Sequence, residues 1–166
     1  METKKLLIKN GTLISSRKSY MSDILIEDGK IKEISPQIND ESINTIDASH
    51  LHIIPGVIDP QVHFREPGLT HKEDIHSGSK AAVAGGVTTF FEMPNTNPAT
   101  ISLKLLNKKN EIAKNTSVAN YSFFIGATHD NIEEIKKITN NCGIKIFMGS
   151  STGTLLVDDE TALENI

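Results

Sequence analysis

The chain has 166 residues, 37% of them hydrophobic and 23% charged, with a formal net charge of −4. This is the composition of an ordinary globular protein with enough chain to bury a core. The acidic balance and scattered lysines weigh against a nucleic-acid partner, which calls for a basic surplus or stripe, and no apolar run is long enough to cross a membrane. The single cysteine, Cys142, excludes an intrachain disulfide. With an N-terminus that lacks the apolar stretch of a signal peptide, it points to a reducing, cytoplasmic setting. Lysine pairs such as Lys108-Lys109 and Lys136-Lys137 read as solvated helix faces.

In chain order, residues 5–54 read as short strands. Leu6-Leu7-Ile8 runs into the turn pair Asn10-Gly11, and Ile24-Leu25-Ile26 into Asp28-Gly29, followed by Ile31 to Ile34. Such a meander predicts a small β-sandwich subdomain over residues 1–55. The rhythm changes after Pro55-Gly56. Strands are expected at Val57–Phe64, Val87–Glu92, Tyr121–Ile125 and Ile144–Met148. Helices are expected at Thr70–Ala84, Ile101–Lys114 and Asn131–Thr139. Thr70 and Glu73 have capping-box spacing, Gly85-Gly86 closes the first helix, and Asp130 is placed to cap the third. Strand and helix alternating through short loops imply an α/β fold with parallel βα units over residues 56–166. Two architectures fit: the first half of a (β/α)8 barrel, or an open doubly wound sheet. No Gly-x-Gly-x-x-Gly loop follows the first strand, which weighs against a nucleotide-binding version of the second.

Three stretches carry chemistry. In Gly56 to Gly68, alternation along a strand puts Asp59, Gln61, His63 and Arg65 on one face. A polar face on a doubly covered strand is anomalous unless it lines a barrel mouth or lies on a solvated edge. Phe91 to Pro98 places Asn95 on the loop after the second strand, either as an amide donor to an anion or as part of a rigid turn. Gly143 to Gly153 holds Lys145 inside an apolar strand, where an ammonium is costly unless neutralised, paired or snorkelled to water. His50-Leu51-His52 has metal-ligand spacing but precedes the barrel, so it reads as a decoy. His71 and His76 read as surface residues, and His129 follows the third strand.

Together, Asp-x-x-Val-His-Phe-Arg-Glu-Pro-Gly (59–68), Ala-Gly-Gly-Val-Thr-Thr (84–89), Met-Pro-Asn-Thr-Asn-Pro (93–98) and Lys-x-Phe-Met-Gly (145–149) resemble, in that order, the dihydroorotases of the cyclic amidohydrolase superfamily. The resemblance implies a metal-dependent (β/α)8 hydrolase barrel represented by its first four βα units. It also implies zinc, one or two ions, and reversible hydrolysis of L-dihydroorotate to N-carbamoyl-L-aspartate in pyrimidine biosynthesis. His63 matches the second histidine of the family's His-x-His motif, and Lys145 its carboxylated bridging lysine. Arg65 and Asn95 match the pair that holds the substrate carboxylate. Gln61 stands where the first histidine is expected, and an amide oxygen is a poorer zinc ligand than imidazole. The general-base aspartate is expected beyond Ile166, so this stretch alone is expected to be inactive. A small-molecule substrate is expected, and self-association into a homo-oligomer stays open. The alternatives are a hydantoinase- or allantoinase-type hydrolase, which Arg65 with Asn95 argues against, and a non-catalytic dihydroorotase-like scaffold, which Gln61 keeps open.

Overall fold

A computed structural model describes residues 4–149 and 155–166. The chain divides into two compact units, Met1–Pro55 and Gly56–Ile166.

In the first unit, strands β1 (Lys5–Ile14), β2 (Ser19–Glu27), β3 (Lys30–Ser35) and β4 (Asn44–Asp47) lie in the order β3-β2-β1-β4. The two-residue strand β5 (His52–Ile53) extends the β4 side of β1, and both pair with it in parallel. Asp28-Gly29 forms the expected turn, with both residues at positive φ. Asn10-Gly11 does not turn the chain. It is a bulge inside β1, with Asn10 at φ 64°, and the strand continues to Ile14. Asp23, only 3% exposed, holds this bulge. One carboxylate oxygen accepts from Asn10 N (2.9 Å) and the other from Ile38 N (2.9 Å). The described strands thus form one mixed sheet and not the expected sandwich. The apolar face of Leu7 and Leu25 is covered by Ile38 and Ile43 from the connection between β3 and β4.

The second unit is built on four parallel strands, β6 (Val57–Val62), β7 (Val87–Glu92), β8 (Asn120–Gly126) and β9 (Gly143–Lys145), in the order β6-β7-β8-β9. A doubly wound sheet reverses its strand order, whereas a barrel adds strands consecutively, so this is the half-barrel arrangement. Helices α1 (Ile75–Ala84), α2 (Leu103–Thr116) and α3 (Ile132–Ile135) connect the strands, and α4 (Glu160–Asn165) follows.

Caps set the helix starts. Asp74, not Thr70, caps α1, its side chain accepting from Ser77 N at 2.7 Å. Pro67 and Gly68 keep the preceding segment in turns, and Glu66 accepts from Ile75 N (2.9 Å). Ser102 caps α2. The third helix is a single turn, shorter than expected. Asn131 directs its amide to the carbonyls of Ile101 and Gly126 instead of capping, and Asp130 bonds Thr128. The fourth strand ends at Lys145, and Phe147 makes only an isolated bridge to Leu156.

Ile75, Phe90, Leu106, Ala113 and Phe123 form the main core, with Phe64 edge-on to Phe90 at 4.8 Å. Phe90 is fully buried, so Phe90→Ala should destabilise this unit by about 3–5 kcal/mol, read from the urea midpoint at constant m. Gly68 sits at φ +86°, and a Cβ there would lie 1.8 Å from the Asn97 carbonyl oxygen. Gly68→Ala combines a left-handed residue, about 1–2 kcal/mol, with a backbone clash, and should lower the melting temperature more than Gly29→Ala, where nothing crowds the Cβ.

Candidate active site

Parallel strands end on one side of their sheet, so the residues just after β6, β7 and β8 and at the end of β9 share an edge. His63, Arg65, Asn95, His129 and Lys145 all occupy such positions.

The alternation expected along Asp59, Gln61, His63 and Arg65 stops early. The strand ends at Val62, and Arg65 takes a left-handed conformation at φ 70°. Such a conformation is uncommon for a residue with a side chain and persists where neighbours hold it. The holder is Glu92, the last residue of β7, whose Oε1 accepts from Arg65 N at 3.0 Å. From this position the Arg65 guanidinium donates through Nη1 to the Asn95 carbonyl at 3.2 Å. Arg65 and Asn95, 30 residues apart in sequence, are therefore in contact.

Asn95 is 7% exposed. Its Oδ1 lies 2.9 Å from His63 Nδ1. With the amide oxygen as acceptor, Nδ1 carries the proton and Nε2 keeps its lone pair. The Asn95 amide nitrogen has no hydrogen-bond partner among the described residues. The cluster thus presents two donors, a guanidinium and an amide N–H, beside an imidazole lone pair.

Beneath it lies a buried ion pair that sequence reasoning missed. Lys109 of α2 and Glu92 of β7 are both 0% exposed, with Nζ 2.8 Å from Oε2. The same ammonium donates to the Met93 carbonyl (3.0 Å) and sits 4.9 Å from the Phe123 ring centroid. Burial pushes the Glu92 carboxyl up and the Lys109 ammonium down, and each charge opposes the shift of the other. The expectation that Lys108-Lys109 faces water therefore holds for Lys108 alone. Lys109 shares the inward face of α2 with Leu106 and Ala113, three and four residues away. A carboxylate closing the apolar strand Val87–Glu92 was the available signal, since a buried Glu requires a cation.

Lys145 and Gln61 are not bonded to this cluster among the described residues. Lys145 is half-buried, its ammonium 5.1 Å from the Phe147 ring centroid, so burial gives no independent reason for carboxylation. Gln61 is exposed. Among the described residues no three His, Cys, Asp or Glu side chains converge on one point. A catalytic zinc takes three protein ligands. His63, Lys145 as a carbamate and Gln61 would be donors to a set that the described residues do not complete. Ser150 to Gly153, the end of the third sequence stretch, lie outside the described residues. His129 pairs with Asp159, its Nδ1 2.8 Å from Oδ2, both side chains half exposed, and His76 bonds the Thr116 carbonyl on the surface. No described helix is long and apolar enough to cross a membrane.

The profile of dihydro-orotase-like proteins matches residues 51–153. A dihydroorotase of Carboxydothermus hydrogenoformans is 54% identical over 95 residues, covering 56% of this chain and 22% of that protein. An allantoinase of Desulfitobacterium hafniense is 34% identical over 164 residues, covering 95% of this chain and 36% of that protein. An L-hydantoinase (dihydropyrimidinase) structure from Arthrobacter aurescens superposes with a TM-score of 0.91 at 30% identity, covering 96% of this chain and 37% of that one. The chain thus spans between about a fifth and two fifths of the length of these relatives. All three are cyclic amide hydrolases, and the family match spans the segment that holds His63, Arg65, Glu92, Asn95 and Lys145. The chain belongs to the dihydro-orotase-like family of cyclic amidohydrolases.

Proposed function

We propose that the protein carrying this chain is a dihydroorotase, hydrolysing L-dihydroorotate reversibly to N-carbamoyl-L-aspartate. The observation that carries this reading is the contact between Arg65 and Asn95 at the ends of adjacent strands. L-Dihydroorotate is a cyclic ureide bearing a ring carboxylate. A guanidinium and a neutral amide donor side by side suit that carboxylate, whereas hydantoin and allantoin carry none. In the reaction, water adds to the ring amide carbonyl and the ring C–N bond breaks. The nitrogen takes a proton and the carbon leaves as the second carboxylate. Arg65 and Asn95 would anchor the first carboxylate and orient the ring, the positioning component of the rate. Zinc belongs to this reading through the family resemblance. His63, Lys145 once carboxylated and, more weakly, Gln61 are the residues here that would ligate it. A cytoplasmic place in pyrimidine synthesis belongs to the same proposal.

The breadth of the allantoinase match and the hydantoinase structures favour testing the ring chemistry directly. The protein should be incubated with zinc and dihydroorotate, hydantoin or allantoin. Turnover should be greatest for dihydroorotate. Preference for a ring without a carboxylate would assign the protein to the hydantoinase or allantoinase type, and turnover of none would favour the scaffold. Arg65→Met removes a hydrogen bond to a charged group, roughly 1.5–3 kcal/mol, and should lower kcat/KM for dihydroorotate about ten- to hundred-fold. Unchanged steady-state kinetics would refute the assignment of Arg65.

A further inference from the structure

We propose that the buried Glu92–Lys109 pair is a positioning device that holds both carboxylate-binding residues in place, a role that rests on the dihydroorotase reading. The pair touches each of the two segments once. Glu92 Oε1 accepts from the backbone N–H of Arg65 and secures its left-handed conformation. Lys109 Nζ donates to the carbonyl of Met93, two residues before Asn95. A third contact, Nζ to Oε2 at 2.8 Å, joins the two holds. Helix α2 is thereby fastened to the ends of both β6 and β7 through fully buried groups.

A purely stabilising role would be served as well or better by apolar residues. Replacing a buried ion pair with hydrophobic groups of similar volume is often neutral or stabilising. What an apolar pair cannot supply is an acceptor for Arg65 N–H and a donor for Met93 O. Glu92 Oε1 and Lys109 Nζ each meet the backbone of a segment that carries a substrate-binding side chain, and Glu92 Oε2 lies 2.8 Å from Nζ as an ion pair, with no hydrogen bond among the described residues. Arg65 and Asn95 would contact the substrate themselves, and Glu92 and Lys109 would act only through them.

Lys109→Met alone would leave a buried unpaired carboxylate and fail for reasons of stability. The informative comparison is between two neutral double variants of the protein, E92Q/K109M and E92M/K109M. Both remove the charges, but only the first retains an acceptor for Arg65 N–H. Two quantities are measured: kcat and KM for dihydroorotate, and hydrogen exchange at the Arg65 amide. The expected result is a KM roughly tenfold higher in E92M/K109M than in E92Q/K109M at similar kcat, with Arg65 exchange roughly tenfold faster, a factor of ten being about 1.4 kcal/mol. A merely structural role moves the melting temperature without separating KM from kcat. Equal KM and equal exchange in the two variants would overturn the proposal, as would faster exchange with no change in KM. Failure of the dihydroorotase reading shows separately, as no turnover by the unsubstituted protein. The exchange comparison then decides alone whether the pair holds Arg65.

Discussion

The contact between Lys109 and Glu92, 2.8 Å long and shielded completely from water, is the constraint on which the rest of the site depends. Two charges in the interior are costly, and they persist when their remaining hydrogen-bonding capacity is used. Here it is used on backbone: the Arg65 amide on one side and the Met93 carbonyl on the other. The site loops are therefore fixed from below by the same groups that need satisfaction. The Phe123 ring, its centroid 4.9 Å from the ammonium, covers the pair on one side and continues through Tyr121 to Phe90 as an aromatic layer.

Above that layer the geometry is simple. Arg65, turned by its positive φ, reaches the Asn95 backbone, and the Asn95 side chain reaches His63. One residue, Asn95, thus links Arg65, which would bind the substrate's carboxylate, to the imidazole that would face a metal. With Asn95 Oδ1 accepting from His63 Nδ1, the imidazole keeps its Nε2 lone pair and the Asn95 amide N–H is left for a ligand. Gly68 allows the Arg65 loop and the Asn97 carbonyl to pack without a gap, which brings the loops after β6 and β7 together. On the proposed reading, a cyclic ureide with a single carboxylate would need one firm anchor to be oriented.

Much of this was legible in the sequence. Parallel strands, their consecutive order and the positions of His63, Arg65 and Asn95 at strand ends follow from alternation, glycine punctuation and the family motifs. What was not legible has physical reasons. Strand alternation cannot show that Arg65 leaves the extended conformation, since the hold comes from Glu92, 27 residues away. Lys109 was hidden because a lysine on a helix is normally solvated, and only the inward face it shares with Leu106 and Ala113 reveals otherwise. The single sheet of the first unit was missed because Asn10-Gly11 bulges a strand as readily as it turns one. Thr70 lost the cap of α1 to Asp74 because Pro67 and Gly68 delay the helix.

The anchoring role of Arg65 and Asn95 is decided by a crystal structure of the protein with N-carbamoyl-L-aspartate or L-dihydroorotate bound. The ligand's α-carboxylate is expected within hydrogen-bond distance of the Arg65 guanidinium and the Asn95 amide nitrogen, with Asn95 Oδ1 still on His63 and the Glu92–Lys109 contact intact. A ligand whose carboxylate lies elsewhere, with Arg65 remaining only on the Asn95 backbone, would contradict it.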